Sequence, residues 1–241
     1  MIGISTFPYI TMSLYDALSE IEKLSSHAEV LSESKHNILL YGEVLSSFNL
    51  KYTIHAPITD MNFSSIHPPI RDAAMGVLED VIRYGVEIGA EVFVVHPGYL
   101  GWITDLELAQ QRMRVSLNGM EALAKEYGVL IAIENQPDHE YLLFRTPDLL
   151  SELDGLGFTL DVGHANTAGM LPDFLEHQVD HLHLHDNNGE TDEHLAIGEG
   201  NIDFSEVAKA TKSDGITKVL ELRDAEGLEA SLSELKKIYE D

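Results

Sequence analysis

Cysteine is absent from the 241 residues, which excludes disulfides and thiolate metal sites. Basic residues are scarce. Fifteen Lys and Arg stand against 41 Asp and Glu, a formal net charge of -26. Nucleic-acid affinity comes largely from Lys and Arg at phosphates, so such a surface repels DNA at long range and argues against a nucleic-acid partner. The acidity fits either a global adaptation to salt, which says nothing of substrate, or a small or cationic partner. Long apolar runs are missing as well. Nothing approaches the roughly 18 residues a membrane span needs. The opening M-I-G-I-S-T-F-P-Y-I has neither a basic region nor a long apolar core, which predicts no secretory leader and, by default, a cytoplasmic location. No G-x-G-x-x-G follows the first strand-like run, so a dinucleotide fold has little support. No Pro/Gly/Ser linker divides the chain, and residues 1–241 read as one domain.

What the sequence does have is concentrated between Asp180 and Gly200, in D-H-L-H-L-H-D-N-N-G-E-T-D-E-H-L-A-I-G-E-G. On a strand, side chains alternate faces, so His181, His183 and His185 share one face and Leu182 and Leu184 the other. Asp192 and His194 follow in a glycine-rich loop. Imidazole and carboxylate together suit zinc, manganese or iron. A single buried His is often a satisfied structural residue, but three on one face beside an Asp-x-His pair need more partners than a core supplies.

Strand-like runs at Ile2–Thr6, Ala28–Leu31, Tyr52–His55, Val92–His96, Leu130–Glu134, Phe158–Asp161, His181–His185 and Val219–Leu222 alternate with helix-like runs. The helical runs are Ser13–Leu24, Ile38–Phe48, Ile70–Ile88, Leu106–Tyr127, Pro147–Leu153, Phe204–Thr211 and Leu228–Tyr239, with a weaker one over Asn166–Gln178 that starts near Pro172. Ser13, Asp105, Thr146 and Asp203 read as N-caps, and Gly89 and Gly128 as C-terminal stops. Gly85, inside a helix, has no evident reason. Strands alternating with helices imply a parallel sheet. A length near the ~250 residues typical of the fold favours a single (β/α)8 TIM barrel, α/β in class.

The chemistry-bearing residues fall at strand ends: His55 in I-H-A-P, His96 in V-H-P-G, Glu134 in I-E-N, Asp161 and His164 in L-D-V-G-H-A, His183, Asp192 and His194 as above, and Glu221 in L-E-L-R-D. The C-terminal end of the strands is where such barrels place active sites. Each residue alone has an ordinary explanation. Together, unpaired, they would be costly to bury, and cations remove that cost.

These motifs, with D-E-H-L-A-I-G-E-G-N-I-D, resemble the xylose isomerase-like, AP endonuclease 2 superfamily of TIM barrels from about Ile2 to Asp224. The superfamily includes endonuclease IV, a trinuclear-zinc phosphodiesterase, and sugar isomerases and epimerases that mostly use one Mn, Mg or Co ion. The resemblance implies divalent metal ions, one to three per chain. Its full ligand set would be His55, His96, Glu134, Asp161, His164, His183, Asp192, His194 and Glu221, with Glu134 bridging two metals. The epimerase branch implies the smaller set Glu134, Asp161, His183 and Glu221. The chain departs from endonuclease IV in lacking a glycine-rich segment after the first strand, where it reads S-T-F-P-Y-I-T-M, and in being shorter.

The favoured expectation is a sugar or sugar-phosphate isomerase or epimerase, with Glu134 and Glu221 as acid/base residues and His164 on a substrate hydroxyl. Arg223 is a candidate for an anionic substrate group, and Trp102 and Tyr99 for a sugar face. For Arg223 a salt bridge, and for the aromatics plain loop packing, compete with those roles. The alternative is metal-assisted phosphoester hydrolysis on abasic DNA or a small phosphodiester. His181 is read as pointing into the barrel and His185 as orienting a ligand. His27, His36, His67, His139 and His177 are read as solvated.

Overall fold

In the computed structural model, which describes residues 2–213 and 215–240, eight strands pair in chain order, all parallel, and β8 closes back on β1. The strands are β1 Ile2–Ser5, β2 His27–Leu31, β3 Lys51–His55, β4 Val92–Val95, β5 Leu130–Glu134, β6 Gly157–Asp161, β7 His181–Leu184 and β8 Thr217–Leu220. Helices α1 Leu14–Ile21, α2 Ile38–Tyr41, α3 Pro68–Glu87, α4 Leu106–Tyr127, α5 Val162–Thr167, α6 Leu171–Phe174, α7 Phe204–Ala210 and α8 Leu228–Glu240 fall in the segments between and after the strands. The chain is a TIM barrel. Each strand repeats one rule: alternate residues pack the helices, and the others turn inward. Ile4, Val30, Ile54, Phe93, Ile131, Ile133, Leu160, Leu182 and Leu220 are all buried in the apolar core.

The expected helices tighten into 3-10 turns in two places, and the run from Ser13 ends at Ile21 rather than Leu24. The run from Ile38 is a single α-turn ending at Tyr41, continued by a 3-10 stretch Gly42–Ser47. There the Tyr84 ring fills the space a Cβ on Gly42 would need. The run from Pro147 is 3-10 through Glu152. The weak region divides into α5 and α6, with Pro172 in the first turn of α6. Ser13 and Asp203 cap their helices through side-chain acceptors, but Asp105 and Thr146 do not. The Thr146 hydroxyl instead donates to Asp148. Gly128, at φ +66°, terminates α4 in the left-handed conformation that costs glycine nothing. Gly85 also gains a reason: a Cβ there would lie 2.5 Å from the Phe93 ring, so glycine lets α3 approach β4.

Two expectations about histidines are corrected. His27 begins β2 and is buried, and His36 is fully buried. Strand pleating turns the His27 ring inward over Gly3, where its Nε2 meets Thr53 Oγ1 at 3.2 Å. His67, His139 and His177 are exposed. Among the described residues, no helix is long and apolar enough to cross a membrane.

Candidate metal centre

The inward face of the barrel is polar where such barrels more often carry Val, Ile and Leu. On β5 it presents Glu134, on β6 Thr159 and Asp161, on β7 His181 and His183, on β3 Thr53 and His55, and on β2 Glu29; all are buried. Parallel registry sets Asp161 level with His183, and Glu134 level with Thr159. Ser5, Glu221 and His96 complete the ring from the ends of β1, β8 and β4. The Ser5 hydroxyl donates to Glu221 Oε1 at 2.9 Å.

Glu134 sits at the centre. Its Oε2 faces His55 Nε2 at 3.1 Å and His96 Nε2 at 2.9 Å. Its Oε1 faces His183 Nδ1 at 3.1 Å and His164 Nδ1 at 3.5 Å. His183 Nδ1 is also 3.5 Å from Glu221 Oε2 and 3.7 Å from Asp161 Oδ2. Asp192 Oδ2 stands 3.2 Å from His164 Nε2 and 3.1 Å from His194 Nε2. Turn chemistry brings Asp192 and His194 in: Asp186 and Leu195 form an antiparallel bridge, and His194 adopts φ +50°.

Most of these imidazoles are oriented from behind. His55 Nδ1 pairs with the Ala56 carbonyl at 2.8 Å, His164 Nδ1 with the Asn135 carbonyl at 2.9 Å, and His194 Nδ1 with the Glu221 carbonyl at 2.8 Å. A ring that donates from Nδ1 presents the Nε2 lone pair, which in each case faces the carboxylates. His183 is turned the other way. Its Nε2 meets Glu29 Oε1 at 2.7 Å, leaving Nδ1 for Glu134.

Burial would raise the carboxylates, but the surrounding imidazoles outweigh it. His96 and His183 hold Glu134 well below the usual carboxylate range, and His164 and His185 do the same for Asp161. In turn, against burial, Asp161 and Asp192 lift His164 to about 10, and Asp192 lifts His194 to about 9. The ionised carboxylates attract cations, and an ion bound here takes the place of the protons that His164 and His194 hold.

Donor atoms gather into groups lying within 4.8 Å of one another: His55, His96 and Glu134; Glu134, Asp161, His183 and Glu221; and His164, His185, Asp192 and His194. The donor chemistry fits divalent ions. All donors are nitrogen or oxygen, suiting zinc or manganese, and Asp192 Oδ1 and His185 Nδ1 are buried without any hydrogen-bond partner. All the ligand candidates read from the sequence therefore meet at one barrel mouth. His185 lies in the third group as well, with its Nε2 2.9 Å from Asp161 Oδ1. Glu29, His181 and His183 form a further buried cluster deeper in the barrel. Glu29 was not legible as a functional residue in the sequence.

Above the centre lies a cavity of about 260 Å³, lined by His55, His96, Glu134, His164, Asp192, His194 and Glu221 below and by Phe7, Leu31, Ile58, Gln136, Pro137 and Leu142 above. It has no Lys or Arg in its lining. Arg223 is exposed and lines a neighbouring hollow behind His194. Tyr99 is 39 % exposed and Trp102 69 % exposed, and neither lines the cavity. The Tyr99 backbone pairs across to Leu142 in the rim. Arg145 is ion-paired with Asp138 at 2.5 Å.

Comparison with known proteins agrees with this architecture. The chain is 36% identical to an uncharacterised protein of Methanocaldococcus jannaschii, over 98% of each chain. It is 29% identical to a probable endonuclease 4 of Mycobacterium leprae, over 74% of this chain and 75% of that one. A crystal structure of a D-tagatose 3-epimerase-like protein superposes with a TM-score of 0.88 at 32% identity, covering 99% of this chain and 97% of that one. The model of the xylose isomerase-like TIM barrel matches residues 20–238. The chain belongs to the xylose isomerase-like TIM-barrel family.

Proposed function

We propose that this protein is a divalent-metal-dependent hydrolase of small phosphoesters. One observation carries the reading: the donor groups around Glu134 offer places for more than one ion. Isomerisation with a single ion uses only Glu134, Asp161, His183 and Glu221. It leaves His55, His96, Asp192 and His194 without a task, although each lines the same cavity. Divalent ions held there would supply Lewis-acid polarisation of the ester oxygens and a lowered pKa for water.

The chain's own part is to enclose and orient. Phe7, Leu31, Ile58 and Leu142 give the cavity an apolar rim above the polar floor, which lowers the local dielectric and strengthens electrostatic interactions there. Glu134, ionised and central, orients the water that attacks phosphorus as the bond to the leaving oxygen breaks, and the proton given up by the water ends on the departing alkoxide to give the alcohol. His164 lies at the cavity floor, placed against the ester oxygens. A cavity of about 260 Å³ admits a small molecule, and a chain of net charge -26 repels a DNA duplex.

A second reading is supported by the similarity to the epimerase-like protein and by Glu134 and Glu221 lying in one donor group. In a sugar or sugar-phosphate epimerase, those glutamates would remove and return a proton at the carbon beside a carbonyl, with His164 on a hydroxyl. Arg223, Tyr99 and Trp102 would reach such a substrate only through movement of the rim.

The deciding experiment uses protein loaded with zinc or with manganese. It is offered bis(p-nitrophenyl) phosphate, an abasic duplex over a range of salt, and a ketose panel in deuterated water. Release of nitrophenol, abolished in Glu134→Gln, supports the hydrolase. Deuterium incorporation at a substrate carbon without ester cleavage would replace it with the epimerase. Nicking of the duplex would extend the substrate range to DNA.

A further inference from the structure

The rim of the cavity is apolar in its side chains and already satisfied in its backbone. Phe7, Leu31, Ile58, Pro137 and Leu142 face the space above the polar floor. Of these, Phe7, Leu31, Ile58 and Leu142 stand outside the apolar core cluster that holds the barrel together. The Phe7 ring leans edge-on against His194, with centroids 5.1 Å apart and planes at 62°.

The N–H groups of the rim have partners within the protein. Phe7 donates to Ser5 Oγ at 3.2 Å and Leu31 to Thr6 Oγ1 at 3.0 Å. Ile58 donates to Glu33 Oε1, Gln136 to the Phe144 carbonyl at 3.0 Å and Leu142 to the His139 carbonyl at 2.8 Å. Proline has no N–H to offer. The Gln136 side chain is buried, and its Nε2 donates to the Glu134 carbonyl at 3.2 Å and to the Asn135 carbonyl at 3.5 Å. Among the described residues, no Lys or Arg lines the cavity.

We propose that the group a substrate carries beside its reacting phosphoryl is apolar and uncharged, an aryl or alkyl ester group, and that Phe7, Ile58 and Leu142 select it. The inference rests on the phosphoester reading of the site and names its substrate class. A sugar hydroxyl pressed against this rim loses its water and meets no free N–H, which costs binding. A second anionic group meets no counter-charge there. An aryl or alkyl group gains by leaving water, and a single methylene in an apolar pocket is worth about 10- to 200-fold.

The test is a series of phosphonates, whose carbon–phosphorus bond resists hydrolysis, so that the readout is binding. Zinc-loaded native protein is titrated calorimetrically with methyl-, butyl-, phenyl- and 2,3-dihydroxypropylphosphonate and with 4-phosphonobutyrate. Butyl- and phenylphosphonate are expected to bind at least tenfold more tightly than methylphosphonate, and the hydroxylated and carboxylated members no more tightly than it. In Ile58→Asn and in Leu142→Asn, the ratio of phenyl- to methylphosphonate affinity is expected to fall at least threefold. Taking the ratio within each variant cancels any change in metal content, and the native series needs no variant. A native ratio near one, or dihydroxypropylphosphonate binding as tightly as butylphosphonate, overturns the apolar selection while leaving the hydrolase reading standing. Unchanged ratios in both variants overturn the assignment to this rim. Selective binding of phenylphosphonate by a protein that cleaves no ester supports the apolar pocket and removes the hydrolase reading. Failure to bind any phosphonate overturns both.

Discussion

Glu29 Oε1 and His183 Nε2 meet 2.7 Å apart inside the barrel, both side chains fully buried. The other Glu29 oxygen receives the Thr53 hydroxyl at 2.8 Å and lies 2.8 Å from His181 Nε2. The carboxylate thus sets which His183 nitrogen carries the proton, and Nδ1 is left to face Glu134, Asp161 and Glu221. Groups that orient a ligating imidazole typically matter 10- to 100-fold in metal affinity. Glu29→Leu is therefore expected to weaken the ion held by His183 by roughly 10- to 100-fold, and Glu29→Gln, which keeps an acceptor oxygen, by much less. Titration against chelator-buffered zinc measures both. Equal affinities in Glu29→Leu and native protein would show that His183 needs no anchor.

The Asp186 carboxylate is the corresponding anchor for the glycine-rich loop. Its N–H donors lie at 2.9 Å for Asn187, Gly198 and Gly200 and at 3.1 Å for Ile202. Asp186→Ala would leave the buried N–H groups of Asn187 and Ile202 unpaired, each costing about 1–3 kcal/mol, and those of Gly198 and Gly200, which are part-buried, dependent on water. The loop is expected to open, with metal content falling and hydrogen exchange rising between residues 187 and 202 while the strands stay protected. Native-like exchange in that segment would count against the clamp.

These two residues mark what could be read from the chain and what could not. The barrel was legible because each strand is a short apolar run set off by a helix-length amphipathic stretch, as in V-F-V-V before α4. The candidate ligands were legible because they recur at strand ends. Glu29 was hidden by its surroundings. In H-A-E-V-L, one acid between Ala28 and Val30 looks like an ordinary strand residue, and only closure of the barrel sets it opposite His183. Period two did place it on the face shared with His27 and Leu31, and that was the available signal. The 3-10 turns were hidden for a similar reason: the Tyr84 ring that crowds Gly42 comes from α3. His36 looked solvated because its neighbours Ser34, Lys35 and Asn37 are polar.

The basic imidazoles of the third donor group predict how metal uptake follows pH. Asp161 and Asp192 lift His164 to about 10, and Asp192 lifts His194 to about 9, each against burial. Without metal, both rings hold a proton at neutral pH, and an ion must displace it. Apparent affinity at this group is therefore expected to rise with pH up to about 9 to 10. The stability these protonated rings lend the metal-free fold runs the opposite way. It is fully present below their unfolded value near 6.5 and lost as pH climbs through about 9 and 10. Calorimetric titration in two buffers of different ionisation enthalpy reads the proton release directly. Zinc binding with no buffer-dependent heat at pH 7 would contradict it.

His36 predicts an acid limb of stability away from the metals. The ring is fully buried, and burial pushes it down from 6.5 to about 4. The folded protein keeps the ring neutral where the unfolded chain has already protonated it. Between those two values the unfolded state binds more protons, so stability is lost as pH falls from 6.5 toward 4. His36→Leu removes the titrating group at similar volume. In metal-free protein, the drop in urea midpoint between pH 7 and pH 4.5 is expected to be smaller in the variant than in native protein, whatever its absolute stability at pH 7. Taking the difference between the two proteins cancels the contribution of the barrel-mouth carboxylates, which both share. Equal drops would mean that the His36 ring is protonated in the folded state and finds a partner there.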